Sequence, residues 1–413
     1  MKIFKYNKFA RAIALHTTML ASAGVLATED AGYINAGAFQ LTPKLKTEVA
    51  HDDNVLQTKD NTRSSTILTV NPSLEAKAIN GLNEYSVLLD VDSNRYASEQ
   101  ELDYTDISAT FDVHQEFNSR NRVDFSLFGG KLHDANSLIA SGKRPPEYNK
   151  QTGNFVYGFG SEQAKAQVEV FGGLEKKDYK EKENNKKDSS TKTLGSTFYY
   201  RVMPKTKALV EVKKRAMKYD EKQKNDNNQL VDAGFDVTSY LIGLSWEATA
   251  KTSGYTKFGR RSREAEASGI DRETSNAWEV GVSYQPLPYS TIQLSTTHDY
   301  GLESDDPLKA DFTSGTNTTL SWNHEWSDRI GSRASWNMIR EEVQGLGGQS
   351  FKDRETDTFS IGMSWKMRRW LTVHADYSRE KRDESLKAAG LAADRIANDY
   401  SRNIYVVSVE MTL

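Results

Sequence analysis

Apolar and polar residues alternate along most of this chain, in runs separated by polar connections. The run at residues 405–413 places Tyr, Val, Val, Met and Leu at odd positions, and Ser, Glu and Thr at positions 408, 410 and 412. Because successive side chains of a strand point to opposite faces, each run predicts a β-strand with one apolar and one polar face. An outer-membrane barrel needs such strands, since lipid lies outside and water inside.

The connections between the runs alternate in length, and this alternation decides between fold classes. About eight short and nine long connections predict about eighteen strands, with short periplasmic turns and long extracellular loops such as Glu341–Glu355 and Arg379–Asp399. A soluble sandwich or propeller also has many short strands, but it has no reason to place every long connection on one side. We therefore expect an all-β, antiparallel, up-and-down transmembrane barrel. Tyr255–Arg261 gives the weakest strand, because neither of its faces is apolar.

The first residues have the pattern of an export signal. Lys2, Lys5, Lys8 and Arg11 precede an apolar stretch that ends in small residues near Ala27. This pattern predicts a secretory signal peptide over residues 1–27, and an ordinary N-terminal helix is the alternative. The domain prediction is then a signal peptide at 1–27 and one barrel at 28–413. Removal of four cationic residues would change the net charge from −3 to −7.

Composition agrees with an envelope protein. The chain has no cysteine, as expected of an exported protein without disulfides. Its 19 Tyr, 16 Phe and 7 Trp suit the aromatic girdles of a barrel, or equally the packing of a β-core. After residue 27 no apolar window is long enough for a transmembrane helix. The predicted location is the Gram-negative outer membrane.

Motifs for catalysis or cofactor binding are not convincing. His298 and His324 stand near predicted strand ends without a G-x-S-x-G motif, and Asp52–Asp53 has no further acidic ladder for calcium. The sequence has no glycine-rich phosphate loop and no zinc spacing, so we expect no enzyme, cofactor or metal. The mixed-charge run Lys176–Glu183 indicates a solvated loop and not a nucleic-acid site. Contact of that loop with lipopolysaccharide is the alternative.

Charged residues at polar-face positions are the candidates for solute binding. A Lys or Arg on the lipid face would cost roughly 2–4 kcal/mol near the midplane, so these residues should face the lumen. Acids and bases interleave, which suits a neutral or weakly charged hydrophilic solute. Pairing across the wall, which would only stiffen the barrel, is an equal alternative for each residue. The lumen-facing candidates are Lys44, Lys46, Glu48, Asp112, Lys165, Glu169, Glu211, Lys213, Arg333 and Asp376.

Two short motifs near the start resemble a known family. Gly37-Ala38-Phe39-x-Leu41-x-Pro43-x-Leu45 is followed by His51-Asp52-Asp53-Asn54-Val55. This strand and loop start resemble the putative β-barrel porin 2 family, and the general layout matches over the full length. Members of that family are outer-membrane barrels often encoded in capsule or exopolysaccharide loci. One departure is Leu413, since outer-membrane barrels usually end in Phe or Trp.

The resemblance implies a conduit that exports exopolysaccharide or capsular polysaccharide to a biofilm matrix. A general diffusion porin for small solutes is the first alternative, and a surface adhesin or scaffold with a plugged lumen is the second. The expected partners are outer-membrane lipid and lipopolysaccharide, a polysaccharide chain, periplasmic export proteins and, during biogenesis, the barrel-assembly machinery. Nucleic acid is not an expected partner.

Overall fold

Antiparallel strands account for nearly all of the described chain. The computed structural model describes residues 32–134, 145–224, 229–249, 251–301, 311–345, 350–387 and 399–413. One 19-stranded sheet contains the short strand Ile34–Ala36 and 18 barrel strands. The barrel strands are β1 (Phe39–Asp52), β2 (Ser65–Asn80), β3 (Asn83–Tyr96), β4 (Tyr104–Asn118), β5 (Asn121–His133), β6 (Glu147–Phe159), β7 (Ala166–Tyr179), β8 (Ser189–Met203), β9 (Thr206–Tyr219), β10 (Phe235–Thr249), β11 (Thr252–Ala265), β12 (Glu273–Leu287), β13 (Ser290–Gly301), β14 (Asp311–Glu325), β15 (Ile330–Gly345), β16 (Ser350–Arg368), β17 (Leu371–Leu386) and β18 (Tyr400–Thr412).

The sheet closes on itself because the first and last barrel strands pair. β1 and β18 are antiparallel, with Lys44 opposite Thr412 at one end and Asp52 opposite Ile404 at the other. Every other barrel strand pairs with its neighbours in sequence. A closed barrel leaves no free edge, which is the condition for strands to cross a lipid bilayer. The prediction of a closed antiparallel barrel of about eighteen strands is confirmed.

Short and long connections alternate around the barrel as predicted. Tight turns include residues 81–82 and 204–205, and Gly81 has a φ of +64°. That left-handed conformation favours glycine. The other connections lie at the opposite end, where two residue pairs, Gln223–Lys224 and Leu230–Val231, form a small hairpin of their own. Among the described residues no helix is long and apolar enough to cross a membrane.

Two predicted loop boundaries are wrong. The loop predicted at Glu341–Glu355 is replaced mostly by β15 and β16, which leave only residues 346–349 between them. β17 likewise continues to Leu386 and includes Glu384. The reason is that the extensions of β16 and β17 carry inward-facing charges that pair, so the ladder continues beyond the apolar band. The predicted signal peptide and its boundary at residue 27 lie outside the described residues.

Candidate functional site

The two faces of the barrel wall have opposite chemistry. Apolar side chains point outward, where Val210 and Val407 are 50% and 56% exposed. Charged and hydroxyl side chains at the alternate positions point inward and contact one another. Since lipid would surround the outer face, the inner wall is the part that can meet a hydrophilic solute. The inner wall is therefore the candidate site.

Two of the predicted residues form a pair on β1, and a third belongs to a network on β5, β7 and β8. Lys46 Nζ lies 2.7 Å from the Glu48 carboxylate. Glu169 accepts hydrogen bonds from Arg122 and, at 2.9 Å, from the Tyr199 hydroxyl. Both interpretations of the lumen charges therefore apply here, because paired groups that keep solvent exposure can still contact a solute.

Glu211 and Lys213 belong to a larger buried network. The Lys257 ammonium lies 2.6 Å from Glu211 and 3.2 Å from Glu279. Lys213 lies 3.0 Å from Glu279, which also accepts a 2.8 Å hydrogen bond from Arg261. We call the inward-facing side chains of β9–β13 the braced corner. The ion-pair network at its centre consists of Glu211, Lys213, Arg215, Lys257, Arg261, Glu279 and Asp299.

Arg215 extends the braced corner toward the mouth. Its guanidinium donates to both carboxylate oxygens of Asp299, at 3.0 and 2.8 Å, and to the Tyr300 carbonyl at 2.7 Å. Bidentate guanidinium–carboxylate pairs of this kind are strong and directional. A second guanidinium, that of Arg261, lies 3.4 Å from Asp299. The corner is therefore a continuous chain of ion pairs along β9, β11, β12 and β13.

Two glycines allow the sheet to fold at this corner. A Cβ on Gly259 would lie 1.9 Å from the Tyr240 carbonyl oxygen, and one on Gly243 would lie 1.9 Å from that of Thr256. Only a residue without a side chain permits so close an approach, and glycine marks tight bends at barrel corners. β10 and β12, the strands on either side of β11, accordingly approach within 8 Å between Cα atoms.

The remaining predicted residues occupy more open positions. Arg333 donates a 2.6 Å hydrogen bond to Asp376, and half of the Arg333 side chain is exposed. Asp112 on β4 and Lys44 on β1 are both exposed. Lys165 corrects the prediction, because it lies in the turn before β7, with Nζ 5.3 Å from the ring centre of the outward-facing Tyr200. A period of two fails there because the strand has not yet begun. A role for any of these residues in solute binding stays a prediction.

Sequence reasoning missed the partners that complete the braced corner. Arg215, Lys257, Arg261, Glu279 and Asp299 were not among the candidates, although all are charged and the last three are almost completely buried. One signal was available, because Tyr255–Arg261 carries charged residues at both odd and even positions of the strand. Inward Lys257 and Arg261 belong to the network, and Phe258 points outward. A strand that carries such charges inward needs acids on neighbouring strands.

The Asp-Asp-Asn motif lies at the junction of β1 and β18. Asp53 accepts two 2.7 Å hydrogen bonds from the main-chain and side-chain nitrogens of Asn403. Asn54 donates to the Ser401 carbonyl at 3.0 Å and to that of Thr58 at 2.8 Å. The motif therefore joins the first loop to the last strand by hydrogen bonds. These bonds lie at the extracellular end of the β1–β18 pairing that closes the barrel, which we call the closing seam.

A loop ion pair adds to this seam. Lys59 Nζ lies 2.9 Å from Asp399, and its hydrogen bond lowers the pKa of that carboxyl. Asp399 also accepts a 2.7 Å hydrogen bond from the Glu384 amide. The contact ties the connection after β1 to the start of β18, next to the Asp-Asp-Asn motif.

Four histidines pair with or pack against neighbouring side chains. His114 lies 2.6 Å from Asp124, and His133 lies 2.9 Å from Asp106. His298 stacks on Trp278 with 4.7 Å between ring centres, and His324 packs at 4.2 Å against Trp326. In the part of the chain that the structure describes, no group of three His, Cys, Asp or Glu residues is placed to hold a metal ion. The site is therefore a wall of paired charges and hydroxyls.

Several solved structures are similar to this chain at low sequence identity. The FrpB iron transporter of Neisseria meningitidis (F3-3 variant) is 8% identical, with 90% of this chain and 81% of that chain covered at a TM-score of 0.47. The outer membrane protein opdK of Pseudomonas aeruginosa is 8% identical, with 90% and 99% covered and a TM-score of 0.45. OccAB3 of Acinetobacter baumannii is 11% identical, with 91% and 99% covered and a TM-score of 0.44.

A search of curated proteins found no match to the sequence. A comparison with protein families found a match over nearly the whole chain. The family described as "Putative beta-barrel porin 2" matches residues 28–411. The resemblance seen in the two N-terminal motifs is thereby confirmed. With the closed barrel and its apolar outer face, the match supports an outer-membrane location for this porin-like barrel. The chain belongs to the putative beta-barrel porin 2 family.

Proposed function

We propose that this barrel is a conduit through which a hydrophilic polymer, an exopolysaccharide or capsular polysaccharide, leaves the cell. The observation that carries the proposal is the inner wall, which presents paired charges and hydroxyls along strands from β1 to β18. Sugar chains are hydrogen-bonding and mostly neutral or weakly charged, and interleaved acids and bases give such a chain many donors and acceptors. Because the charges are paired, they bind an individual sugar weakly and allow it to move on.

Direction and cargo rest on the family resemblance, and the wall chemistry supports any hydrophilic solute. A diffusion porin for small solutes is therefore the competing function. An exporter also needs a periplasmic supply of polymer, so periplasmic export proteins are the proposed partners. The outer face would contact lipid and lipopolysaccharide, and assembly would use the barrel-assembly machinery.

Gene deletion separates these two functions from each other and from a surface adhesin. We expect the deletion strain to lose surface polysaccharide or biofilm matrix and to grow nearly normally on small sugars, with full recovery on complementation. Unchanged polysaccharide together with lost uptake of a small solute would assign the protein to the diffusion porins. Unchanged polysaccharide and unchanged uptake, with loss of surface binding, would assign it to the adhesins.

A chemical block tests whether the lumen itself carries the polymer. Asp112 is exposed on the inner wall, and the native chain has no cysteine. In the strain complemented with Asp112→Cys, a bulky membrane-impermeant maleimide should stop polymer release. The same reagent on cells complemented with the cysteine-free native protein is the matched control. Continued release after complete modification would contradict transport through the lumen.

A further inference from the structure

The inner surface of the barrel has two parts that differ in their access to water. One is the braced corner. The other, which we call the open wall, consists of the inward-facing side chains of β1–β5 below their extracellular ends, including Lys46, Glu48, Ser108, Asp112 and Asp124. The ion pairs of the corner, its burial and its apolar borders lead to an inference about the path of transport.

Ion pairs in the corner join strands that are far apart in the sheet. Arg215 lies on β9 and its partner Asp299 on β13, four strands further. Neighbouring strands lie about 4.8 Å apart, so four intervals measure about 19 Å along the sheet. A 2.8 Å contact over that span requires the wall to fold toward the lumen until its inner faces meet. Lys213 and Glu279, on β9 and β12, meet across three such intervals.

Several charged side chains of the folded wall are almost completely buried. Arg261 is 1% exposed, Glu211 3% and Glu279 5%. An open barrel of eighteen strands has an interior too wide for side chains to fill, so its inner charges should be wet. Ions removed from water in this way require close partners, and the network supplies them.

Apolar side chains border the network on both sides. Toward the periplasmic turns, Leu209 and Leu241 are almost completely buried. Toward the mouth, Met217, Phe235 and Phe312 belong to a buried cluster. The Arg263 guanidinium lies 3.7 Å from the Phe312 ring centre. Buried apolar side chains therefore lie next to the network on both its periplasmic and its mouth side.

The open wall differs at each of these points. Lys46 and Glu48 keep 40% and 21% of their side-chain surface exposed, and Asp112 is exposed. The open-wall contacts between Lys46 and Glu48 and between His114 and Asp124 join residues of the same strand or of adjacent strands. A wall whose contacts are local stays extended and leaves its inner face in contact with the lumen.

We propose that solute passes along the open wall, and that the braced corner is closed to both water and solute. This inference rests on the proposed function of the barrel as a conduit. It narrows the aperture to one side of the lumen, and it assigns recognition of a hydrophilic chain to the hydroxyls and carboxylates of β1–β5, among them Glu48, Ser108 and Asp112.

Two Ser→Cys variants test the proposal directly. Ser239 on β10 is 2% exposed and accepts a 3.1 Å hydrogen bond from Arg261, whereas Ser108 on β4 is partly exposed. Each is the fifth residue of its strand, counted from the extracellular end. In the folded barrel in detergent, a small water-soluble thiol reagent should modify Ser108→Cys at least about tenfold faster than Ser239→Cys, because the buried site must open first. Mass spectrometry measures both rates.

A second comparison tests the brace itself. In Ser239→Cys combined with Arg215→Ala and Asp299→Ala, the reaction should accelerate toward the rate at Ser108→Cys, while Ser108→Cys with the same two changes keeps its rate. Heat-modifiable mobility shows that each variant is folded, and modification after unfolding shows that each thiol is intact. Equal rates at the two positions in the otherwise native protein would overturn the proposal. Neither result depends on polysaccharide, so failure of the proposed function would be seen separately, in the deletion strain.

Discussion

The braced corner and the open wall are built from strands of similar length and the same alternation, and they differ in what stands at the inward positions. In the corner, charges at successive inward positions of β9 (Glu211, Lys213 and Arg215) face strands whose inward positions include glycine. In the open wall, Lys44, Lys46 and Glu48 also occupy successive inward positions of β1, but they face Ser73, Asn71 and Thr69 on β2. Glycine lets the sheet bend until opposite charges on distant strands meet. In the proposal, the side chains of the folded wall themselves close this part of the lumen.

The largest expected effect comes from removing a central anion of the corner. Glu279→Ala would leave Lys213, Lys257 and Arg261 buried without their shared partner. Breaking a buried pair in this way costs about 3–5 kcal/mol. Asp112→Ala on the open wall is the control and should stay within about 0.5 kcal/mol of the native protein. Urea-dependent unfolding, followed by the gel mobility of unboiled samples, measures both, and equal midpoints would remove the distinction between the two regions.

The outer face should not share this difference. Val210 lies on the outer face of β9, behind the corner, and Val407 lies on β18, next to the open wall; both are about half exposed toward lipid. Val210→Arg and Val407→Arg should each cost roughly 2–4 kcal/mol near the midplane. Glu410→Gln on the inner face of β18 should assemble normally. Assembly in lipid vesicles is the measurement. If only one of the two arginine substitutions had a lower cost, the apolar outer surface of the barrel would be interrupted at that position.

A smaller effect is expected where the sheet bends. Gly259→Ala would place a Cβ against the Tyr240 carbonyl oxygen, and overpacking of this kind costs about 1–3 kcal/mol. A Cβ added at Gly129 on β5 would meet no atom within 4 Å, so Gly129→Ala is the matched control and should cost less than about 0.5 kcal/mol. The urea concentrations at which the two variants are half unfolded measure these costs. Equal costs would show that the corner does not depend on close approach of β10 and β11.

The sequence predicts the faces of this barrel well because the contrast between lipid and water acts on every second residue. It also predicts the strand number, since each turn interrupts the alternation. It does not predict which inward charges meet, because Lys213 and Glu279 are 66 positions apart and their contact depends on curvature. The prediction that Lys165 faces the lumen failed for a local reason. Odd and even positions alternate between the two faces only within a strand, and Lys165 precedes β7. The extensions of β15–β17 were missed because inward-facing ion pairs, such as that of Lys352 with Glu384, continue the strands into a segment rich in charged residues.

The least disruptive test is ion selectivity, which depends only on charges that ions can reach. Asp112 is exposed on the open wall, so Asp112→Lys should shift the reversal potential of the pore in planar bilayers toward anions, with a change in stability below about 0.5 kcal/mol. Glu211 also carries a negative charge, but it is 3% exposed and lies 2.6 Å from Lys257. Glu211→Gln removes that charge with little change of shape, and it should leave the reversal potential where it was. If Glu211→Gln shifted selectivity as strongly as Asp112→Lys, ions would be passing through the corner, and the open wall would not be the sole path.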